Sequence, residues 1–314
     1  MTASLDDLRG AAAALTGIAV RTPLVEAPEL CRRAGVPVWL KCEQWQPIGA
    51  FKLRGAWTAI TRLPDAARAG GVIAHSSGNH GRAVAWVARR LGLRAVVVMN
   101  DNAPPLKVDA VRAAGAEVVL VDRYLRAKTA DELAARERLA MVHPFEHPDV
   151  ILGQATCALE ILEERPEVAT LAVPVGGGGL IAGACLAAGA LGHPAEIVGV
   201  EPEGAAKLSA ALAAGRPTTL AETRSIADGL LPPSVGARPW TRIEPRVSTA
   251  ITVSEDAIAA AVRFLFRTMG FRVEPSGAVT VAALLEGRIR ATGPVAAILS
   301  GGNVDPDLFN RLIA

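Results

Sequence analysis

The 314-residue chain has no apolar run that reaches the roughly 18–20 residues of a membrane span. This holds although 51% of its residues are hydrophobic and its mean hydropathy is +0.31. The richest run, Leu180 to Leu191, is short and full of Ala and Gly, which predicts a buried helix. Excess charge of one sign is also missing. Lys and Arg number 33 against 31 Asp and Glu, a net +2, which argues against a dedicated nucleic-acid or acidic-membrane binder. The N-terminus, Met1-Thr2-Ala3-Ser4-Leu5-Asp6-Asp7, lacks the basic-then-apolar order of a secretory signal. Cys31, Cys42, Cys157 and Cys185 form no C-x-x-C pair, so they are expected to be reduced, buried thiols of a cytoplasmic protein. The five histidines lack metal-ligand spacing. His143 and His147 stand at i, i+4 but straddle Pro144, which spoils a helical zinc pair; no metal site is expected. There is no internal repeat and no low-complexity tail. The length and apolar content suffice for one large core or two modest ones.

What the chain does have is four consecutive glycines, Gly176 to Gly179. They lie behind the apolar Val173-Pro174-Val175 and ahead of Leu180-Ile181-Ala182-Gly183. A strand that feeds a bare-backbone turn and then a helix makes an anion site. Glycine lets successive N–H groups point one way, and the helix start adds partial positive charge. No Gly-Lys-[Ser/Thr] follows, so this is not a nucleotide P-loop. Nor is it the spaced G-x-G-x-x-G of a dinucleotide site. A flexible linker would carry Ser and polar flanks, and both flanks here are apolar. A phosphate is the ligand expected.

Upstream, Gln46-Pro47-Ile48-Gly49-Ala50-Phe51-Lys52-Leu53-Arg54-Gly55-Ala56 sets Lys52 between two apolar residues. Partial loss of hydration favours the neutral amine, a nucleophile that can form a Schiff base with an aldehyde. Most lysines are surface charges with buried stems, so Lys52 alone says little. A third stretch, His75-Ser76-Ser77-Gly78-Asn79-His80-Gly81, joins the strand-like Gly71-Val72-Ile73-Ala74 to the helix-like Arg82 to Leu91. Strand-to-helix junctions of this kind are where open α/β sheets bind ligands.

Strand-like and helix-like segments alternate along the chain. Val72 to His75, Ala95 to Met99 and Glu117 to Val121 precede the helical patterns Arg82 to Leu91, Pro105 to Ala114 and Lys128 to Met141. Leu171 to Val175, Glu196 to Glu201, Ala250 to Val253 and Val295 to Ser300 continue the theme. The alternation implies α/β layers with parallel sheets covered on both faces. Ser254, with Glu255 and Asp256, reads as the start of a helix over Ala257 to Met269. Pro232-Pro233 and the stretch Ala237 to Pro245 read as loop.

These stretches resemble the fold-type II pyridoxal-phosphate enzymes, in particular the serine/threonine dehydratase and serine racemase branch. The lysine box, the Ser76-Ser77-Gly78-Asn79-His80 loop and the tetraglycine occur in that family's order. So do Gln154-Ala155-Thr156-Cys157-Ala158-Leu159-Glu160, Ala227-Asp228-Gly229, Glu274-Pro275-Ser276-Gly277 and Ser300-Gly301-Gly302-Asn303. The resemblance runs from about Thr22 to about Asn303. It implies two three-layer α/β/α domains with mostly parallel sheets, as in the tryptophan synthase β fold. A large domain would comprise residues 1–63 and 147–314, and a small one residues 64–146, with pyridoxal 5'-phosphate between them. Interdomain clefts are common ligand sites, and closing one excludes water.

By resemblance, Lys52 binds the cofactor aldehyde and later takes the Cα proton of the substrate. Phe51 packs on the pyridine ring. The amides of Gly176, Gly177, Gly178, Gly179 and Leu180 hold the phosphate, and Asn79 donates to the ring hydroxyl oxygen. By its residues alone, Asn79 could equally be a left-handed turn asparagine. Ser76, Gly78 and His80 take the substrate carboxylate, largely through backbone N–H groups. Ser300 meets the pyridine nitrogen, where a hydroxyl cannot keep it protonated as a carboxylate would. The implied reaction is β-elimination of water from L-threonine or L-serine, giving 2-oxobutanoate or pyruvate plus ammonia. A homodimer or homotetramer is implied, with a small amino acid as its partner.

Three positions depart from the pattern. Ala50 stands where relatives usually have serine. Relatives with a divalent-cation site follow Glu-Pro, here Glu201-Pro202, with an acid six residues on, and here that position is Lys207. It either pairs with Glu201 in place of a metal or points to solvent. The chain also stops at Ala314, without the regulatory domain of biosynthetic threonine dehydratases, so control by isoleucine is not expected. Ser77 matches the opposite-face base of a racemase, which leaves serine racemisation open. Hydroxyaspartate and phenylserine remain open as alternative dehydratase substrates, and a non-catalytic phosphate-ligand or cofactor carrier is the rival from another class.

Overall fold

The computed structural model describes residues 3–314. Ten short strands carry the fold: β1 Leu24–Glu26, β2 Val38–Cys42, β3 Val72–His75, β4 Ala95–Asn100, β5 Glu117–Val121, β6 Ala140–Met141, β7 Thr170–Pro174, β8 Glu196–Pro202, β9 Thr249–Val253 and β10 Val295–Leu299. They make a six-stranded sheet in the order β1-β2-β10-β7-β8-β9 and a four-stranded sheet in the order β5-β4-β3-β6. Only β1 runs antiparallel; its Leu24 faces Lys41 of β2. Every residue of β2, β7 and β10 is buried, as expected where helices cover both faces of a parallel sheet.

The mostly parallel α/β architecture read from the sequence is therefore present. The strand-like runs lie within a residue or so of the observed strands. The apolar run at Leu180 is the buried helix Gly179–Leu191. Ser254 caps the helix Glu255–Met269 by accepting from the Ala257 amide. Three of the four cysteines are buried, and all four are free. No helix of the described residues is long and apolar enough to cross a membrane.

Two readings need correction. Residues 237–245 do not form a loop throughout, because Ala237–Ile243 is helical. Its start is capped from far away: the Ala237 and Arg238 amides donate to Glu146 Oε1 and Oε2 at 2.6 and 2.9 Å. A cap 91 residues distant leaves no local signature. The helix expected to reach Met141 ends at Glu137. Arg138 takes a left-handed conformation, φ 55°, and closes it, after which Ala140–Met141 joins the small sheet as β6 beside β3.

The helix that begins with Lys52, Lys52–Arg62, lies on the helix Pro148–Glu164 with almost no gap. A Cβ on Gly153 would stand 2.4 Å from the Arg54 carbonyl oxygen, and one on Gly55 would stand 2.7 Å from the Val150 carbonyl oxygen. Only backbone fits between the two helices there.

Below that contact is a buried charge cluster. Arg54 donates to Glu43 Oε2 through Nε and to Glu43 Oε1 through Nη2, both at 2.8 Å. Its Nη1 and Nη2 reach Glu160 at 2.6 and 2.8 Å. Lys41 Nζ donates to Glu160 Oε2 and to the Thr22 carbonyl, both at 2.6 Å. Two cations and two anions balance, and all four side chains are buried. Burial pushes the Glu43 carboxyl up, but Arg54, Lys41 and Thr22 outweigh it and hold it below the usual carboxylate range. The cluster pins β2, the turn after it, the lysine helix and the helix Pro148–Glu164 to one another.

Candidate active site

Phe51 precedes the helix Lys52–Arg62, and its amide donates to the Ser300 carbonyl at 3.1 Å. Two residues expected around a cofactor ring are thus joined backbone to backbone. The Lys52 amine turns inward and donates to the Pro144 carbonyl at 2.9 Å, 5.1 Å from the centroid of the Phe51 ring. No carboxylate offsets its desolvation, and burial pushes its pKa down to about 8. At pH 7 roughly a tenth of such an amine is neutral, about 300-fold more than for an ordinary lysine. Lys52 is therefore prepared as a nucleophile or base.

The tetraglycine lies across Pro144-Phe145 from this amine. A Cβ on Gly177 would stand 2.2 Å from Phe145 Cδ1, and one on Gly179 would stand 3.7 Å from the Pro144 carbonyl oxygen that accepts from Lys52. Gly178 has φ +93°, a conformation that favours glycine. It directly precedes the helix Gly179–Leu191, whose first turn receives no side-chain cap. Those first-turn amides remain free to bind an anion. The carbonyl of Gly229, in Ala227-Asp228-Gly229, closes the other side, 3.1 Å from where a Gly176 Cβ would be.

Asn79 opens the helix Asn79–Arg90. Arg138 is the one described non-glycine residue with positive φ, so the left-handed reading of Asn79 does not hold. Its side chain is clamped at both ends. Asn303 Nδ2 donates to Asn79 Oδ1 at 2.8 Å, and Asn79 Nδ2 donates to Glu274 Oε1 at 2.6 Å. Arg82 Nη1 in turn donates to Asn303 Oδ1 at 2.7 Å. Asn79 Nδ2 keeps one hydrogen for a ligand. Burial and the nearby Asp228 push the Glu274 carboxyl up to about 8, against smaller lowering by Asn79 and Lys107. Glu274 is thus mainly a neutral acid at pH 7. Ser300 Oγ makes a long contact, 3.4 Å, with the Ser276 carbonyl oxygen.

In the Ser76–His80 loop, the Gly78 amide donates to Ser76 Oγ at 3.3 Å. The His80 ring is turned away into the core, Nε2 lying 2.7 Å from the Val142 carbonyl oxygen. Only its backbone faces the loop's ligand side by the sequence reading, and its buried imidazole is held well below the usual pKa, chiefly by burial. Ser77 Oγ contacts Asn100 Oδ1, accepts from the Asn100 amide at 3.1 Å and accepts from Arg126 Nη1 at 3.3 Å. His75 and His143 stack edge to face at 4.8 Å. Burial pushes them down to about 4 and about 3, so neither is a proton carrier near neutrality.

Lys207 does not point to solvent. Its ammonium is fully buried and donates to the Ala205 and Leu230 carbonyls at 2.6 and 2.7 Å, with Glu201 Oε2 at 3.7 Å. Burial lowers its pKa to about 8 against the opposing pull of Glu201. The Glu201 carboxylate instead accepts from the Leu208 amide and from the amide and hydroxyl of Ser209, each at 2.8 Å.

The sequence motifs thus meet around one spot, linked by Phe51–Ser300, Lys52–Pro144 and Asn79–Asn303. Sequence reading gave no role to Glu274, Asn303, Phe145 or Arg126. The first two stood inside recognised motifs, and their partnership with Asn79 was the missing information. Arg126 stood in no motif at all.

A half-buried, partly neutral lysine and a bare-amide cradle at an uncapped helix start, both touching Pro144-Phe145, fit a ligand carrying an aldehyde and a phosphate. The family model described as "Pyridoxal-phosphate dependent enzyme" matches residues 15–301. A putative threonine dehydratase of Sinorhizobium fredii is 39% identical, covering 99% of this chain and 95% of that protein. The L-threo-3-hydroxyaspartate ammonia-lyase of Saccharomyces cerevisiae is 38% identical, covering 94% and 91%. The structure of maize serine racemase superposes with a TM-score of 0.94 at 35% identity, covering 99% of this chain and 97% of that one. The amine, the cradle and these likenesses agree, and the chain belongs to the family of pyridoxal-phosphate-dependent enzymes, with pyridoxal 5'-phosphate as its cofactor.

Proposed function

We propose that this protein is an ammonia-lyase that removes water from small β-hydroxy-L-amino acids, L-threonine and L-serine among them. The observation that carries this reading is the Lys52 amine, desolvated without a counter-ion and hydrogen-bonded to the Pro144 carbonyl beside the glycine cradle. When bound, pyridoxal phosphate supplies an aldehyde that captures amines and a ring that takes up the electron pair left at Cα. Gly176, Gly177, Gly178, Gly179 and Leu180 hold its phosphate through their amides. Phe51 packs on the ring, Asn79 donates to the ring hydroxyl oxygen, and Ser300 offers a hydroxyl to the ring nitrogen. A hydroxyl there favours prompt loss of a β-substituent over transamination. Ser76, Gly78 and His80 hold the substrate carboxylate with backbone amides, and Lys52 Nζ takes the Cα proton. Loss of the β-hydroxyl then yields an enamine that hydrolyses to keto acid and ammonia.

In this reading residues 64–146 form a small domain and residues 1–63 with 147–314 a large one, with the site between them. The Lys52–Pro144 bond crosses that join. A homodimer or homotetramer in the cytoplasm completes the proposal. The test is keto-acid release over a panel of hydroxy-amino acids in both enantiomers. The expected products are 2-oxobutanoate from L-threonine and pyruvate from L-serine; release from none of the panel overturns the reading.

Racemisation is the second activity, supported by the Arg126 guanidinium beside Ser77, since a positive neighbour favours the alkoxide a base requires. Ser77→Ala is expected to cut D-serine formation at least about 100-fold, as loss of a general base does, and to lower L-serine dehydration far less. Chiral chromatography of recovered serine checks this, and undiminished D-serine formation removes Ser77 from the role.

Lys207 already fills the carbonyl-lined space near Glu201. A divalent ion about 4 Å from its ammonium would meet repulsion of about 8 kcal/mol at an effective dielectric of 20. EDTA is therefore expected to leave turnover within about twofold, since less than half a kcal/mol is then at stake. A magnesium requirement in the unaltered enzyme refutes this role for Lys207.

A further inference from the structure

Glu146 follows directly on Pro144-Phe145, the pair that both Lys52 and the tetraglycine touch, yet the reaction outlined above gives it no task. It is half-buried. Its amide donates to His143 Nδ1 at 3.0 Å, and the Phe145 amide reaches the same nitrogen at 3.4 Å. These bonds close the turn that carries the carbonyl accepting from Lys52. The Glu146 carboxylate leaves this turn and takes the first amides of the helix Ala237–Ile243, Oε1 from Ala237 and Oε2 from Arg238. That helix is a wall of the glycine cradle. A Cβ on Gly178 would stand 3.0 Å from Pro239 Cβ and 3.2 Å from Ile243 Cδ1. Gly236, just before the helix, donates its amide to the Gly177 carbonyl at 3.1 Å. A peptide unit is planar and trans, so its C=O and N–H point opposite ways. Holding the Gly177 carbonyl toward Gly236 therefore aims the Gly178 amide away from Gly236. Gly236 itself has no room for a side chain: a Cβ there would lie 2.4 Å from Glu146 Oε1 and 2.9 Å from Phe145 Cδ2.

The helix Ala237–Ile243 has only seven residues, and its own N-cap residue, Gly236, has no side chain to cap it. So short a helix does not persist by itself, and Glu146 supplies the acceptor and the negative group that its start requires. We propose that Glu146 is a positioning residue for the cofactor phosphate: by capping this helix it fixes the Gly177–Gly178 peptide so that the Gly178 amide faces the phosphate. The proposal rests on the reading that the tetraglycine amides hold that group. The same residue closes the turn whose Pro144 carbonyl steadies Lys52. One side chain thus relates the amine that takes the aldehyde to the amides that take the phosphate. Without the cap, the cradle would be correctly formed in only a fraction of the molecules, and apparent affinity for a phosphate falls by that fraction. An aldehyde without a phosphate makes no use of the Gly178 amide and is spared most of the loss.

The test uses the full-length protein and its Glu146→Ala and Glu146→Gln variants, each freed of cofactor and titrated. The probes are pyridoxal 5'-phosphate and pyridoxal, which shares the ring and aldehyde but lacks the phosphate. Binding is followed by the absorbance of lysine-linked cofactor, and melting temperatures are recorded with and without inorganic phosphate. Glu146→Ala is expected to weaken pyridoxal phosphate by about 5- to 30-fold, the range of a lost helix cap, and pyridoxal by less than about threefold. Glu146→Gln should fall between, since it offers one oxygen to two amides and turns its NH2 toward the second. Inorganic phosphate should stabilise the unaltered protein more than Glu146→Ala. An equal loss for both probes overturns the proposal, because general destabilisation would spare neither, and so does an unchanged preference for the phosphorylated probe. If the unaltered protein binds both probes alike and phosphate leaves its melting temperature unmoved, the cradle reading itself fails, and the role of Glu146 with it.

Discussion

Lys52→Ala is expected to abolish keto-acid formation, by at least about 1,000-fold, because one amine serves as both cofactor anchor and base. The purified variant should also lose the yellow absorbance of lysine-linked cofactor after dialysis. Lys52→Arg should fail as well, since a guanidinium stays protonated. Folding should survive. The folded-state pKa of Lys52, about 8, lies below that of an exposed lysine, so the unfolded chain binds the proton more tightly. The folded protein therefore carries a cost that is largest below about pH 8 and fades as pH rises toward the unfolded value. That cost is up to roughly 3 kcal/mol at pH 7. Removing the amine relieves it, so the apo variant should melt no lower than the apo parent. Retained turnover in Lys52→Ala would sink the catalytic assignment, and a collapsed melting temperature would contradict the energetic one.

Arg54→Met should have the largest effect on stability. The substitution fits the volume of the side chain but leaves Glu43 and Glu160 with Lys41 as their only buried cation. Breaking a buried charge network from one side costs about 3–5 kcal/mol, read as a fall in the urea midpoint at fixed protein concentration. The pH dependence carries the signature. In the unaltered protein Glu43 is held below its ordinary value, so its contribution is present above the unfolded carboxylate pKa and is lost as pH falls through the folded one. In Arg54→Met burial prevails and raises that pKa, so protonation relieves the variant as the solution is acidified. The gap between the two proteins should be wide at pH 7 and narrower at pH 5. A gap that stays constant would mean that lost packing, rather than stranded charge, sets the cost.

The local features of this site could be read from the sequence because their chemistry is local. A run of glycines between a strand and a helix is an anion cradle wherever the chain carries it, and β-branched runs announce buried parallel strands. Arg54 was visible only as a letter of the lysine box; its partners lie 11 and 106 residues away. The acid form of Glu274 depends on burial beneath Asn79, and no spacing encodes burial. Arg126 reaches Ser77 because the helix Arg126–Glu137 packs on β3 and β4, whereas the helical pattern read from the sequence begins only at Lys128. The helix at Ala237 was missed for the same reason, since Glu146 caps it from across the fold. Pairing at a distance is what a single sequence conceals.

The strand order sets a timetable for synthesis. β2 hydrogen-bonds to β10, with Val38 opposite Val295, so the centre of the six-stranded sheet stays open until nearly the whole chain has left the ribosome. The four-stranded sheet needs only residues 72–141 and can close while the rest is still being made. For most of translation β2 would present, on the side that later receives β10, an unpaired and mainly apolar edge next to the nascent lysine helix, the kind of surface that recruits chaperones or aggregates. The enzyme's most exposed moment is therefore its birth, when Lys52 already has its helix but the strand bearing Ser300 has yet to emerge.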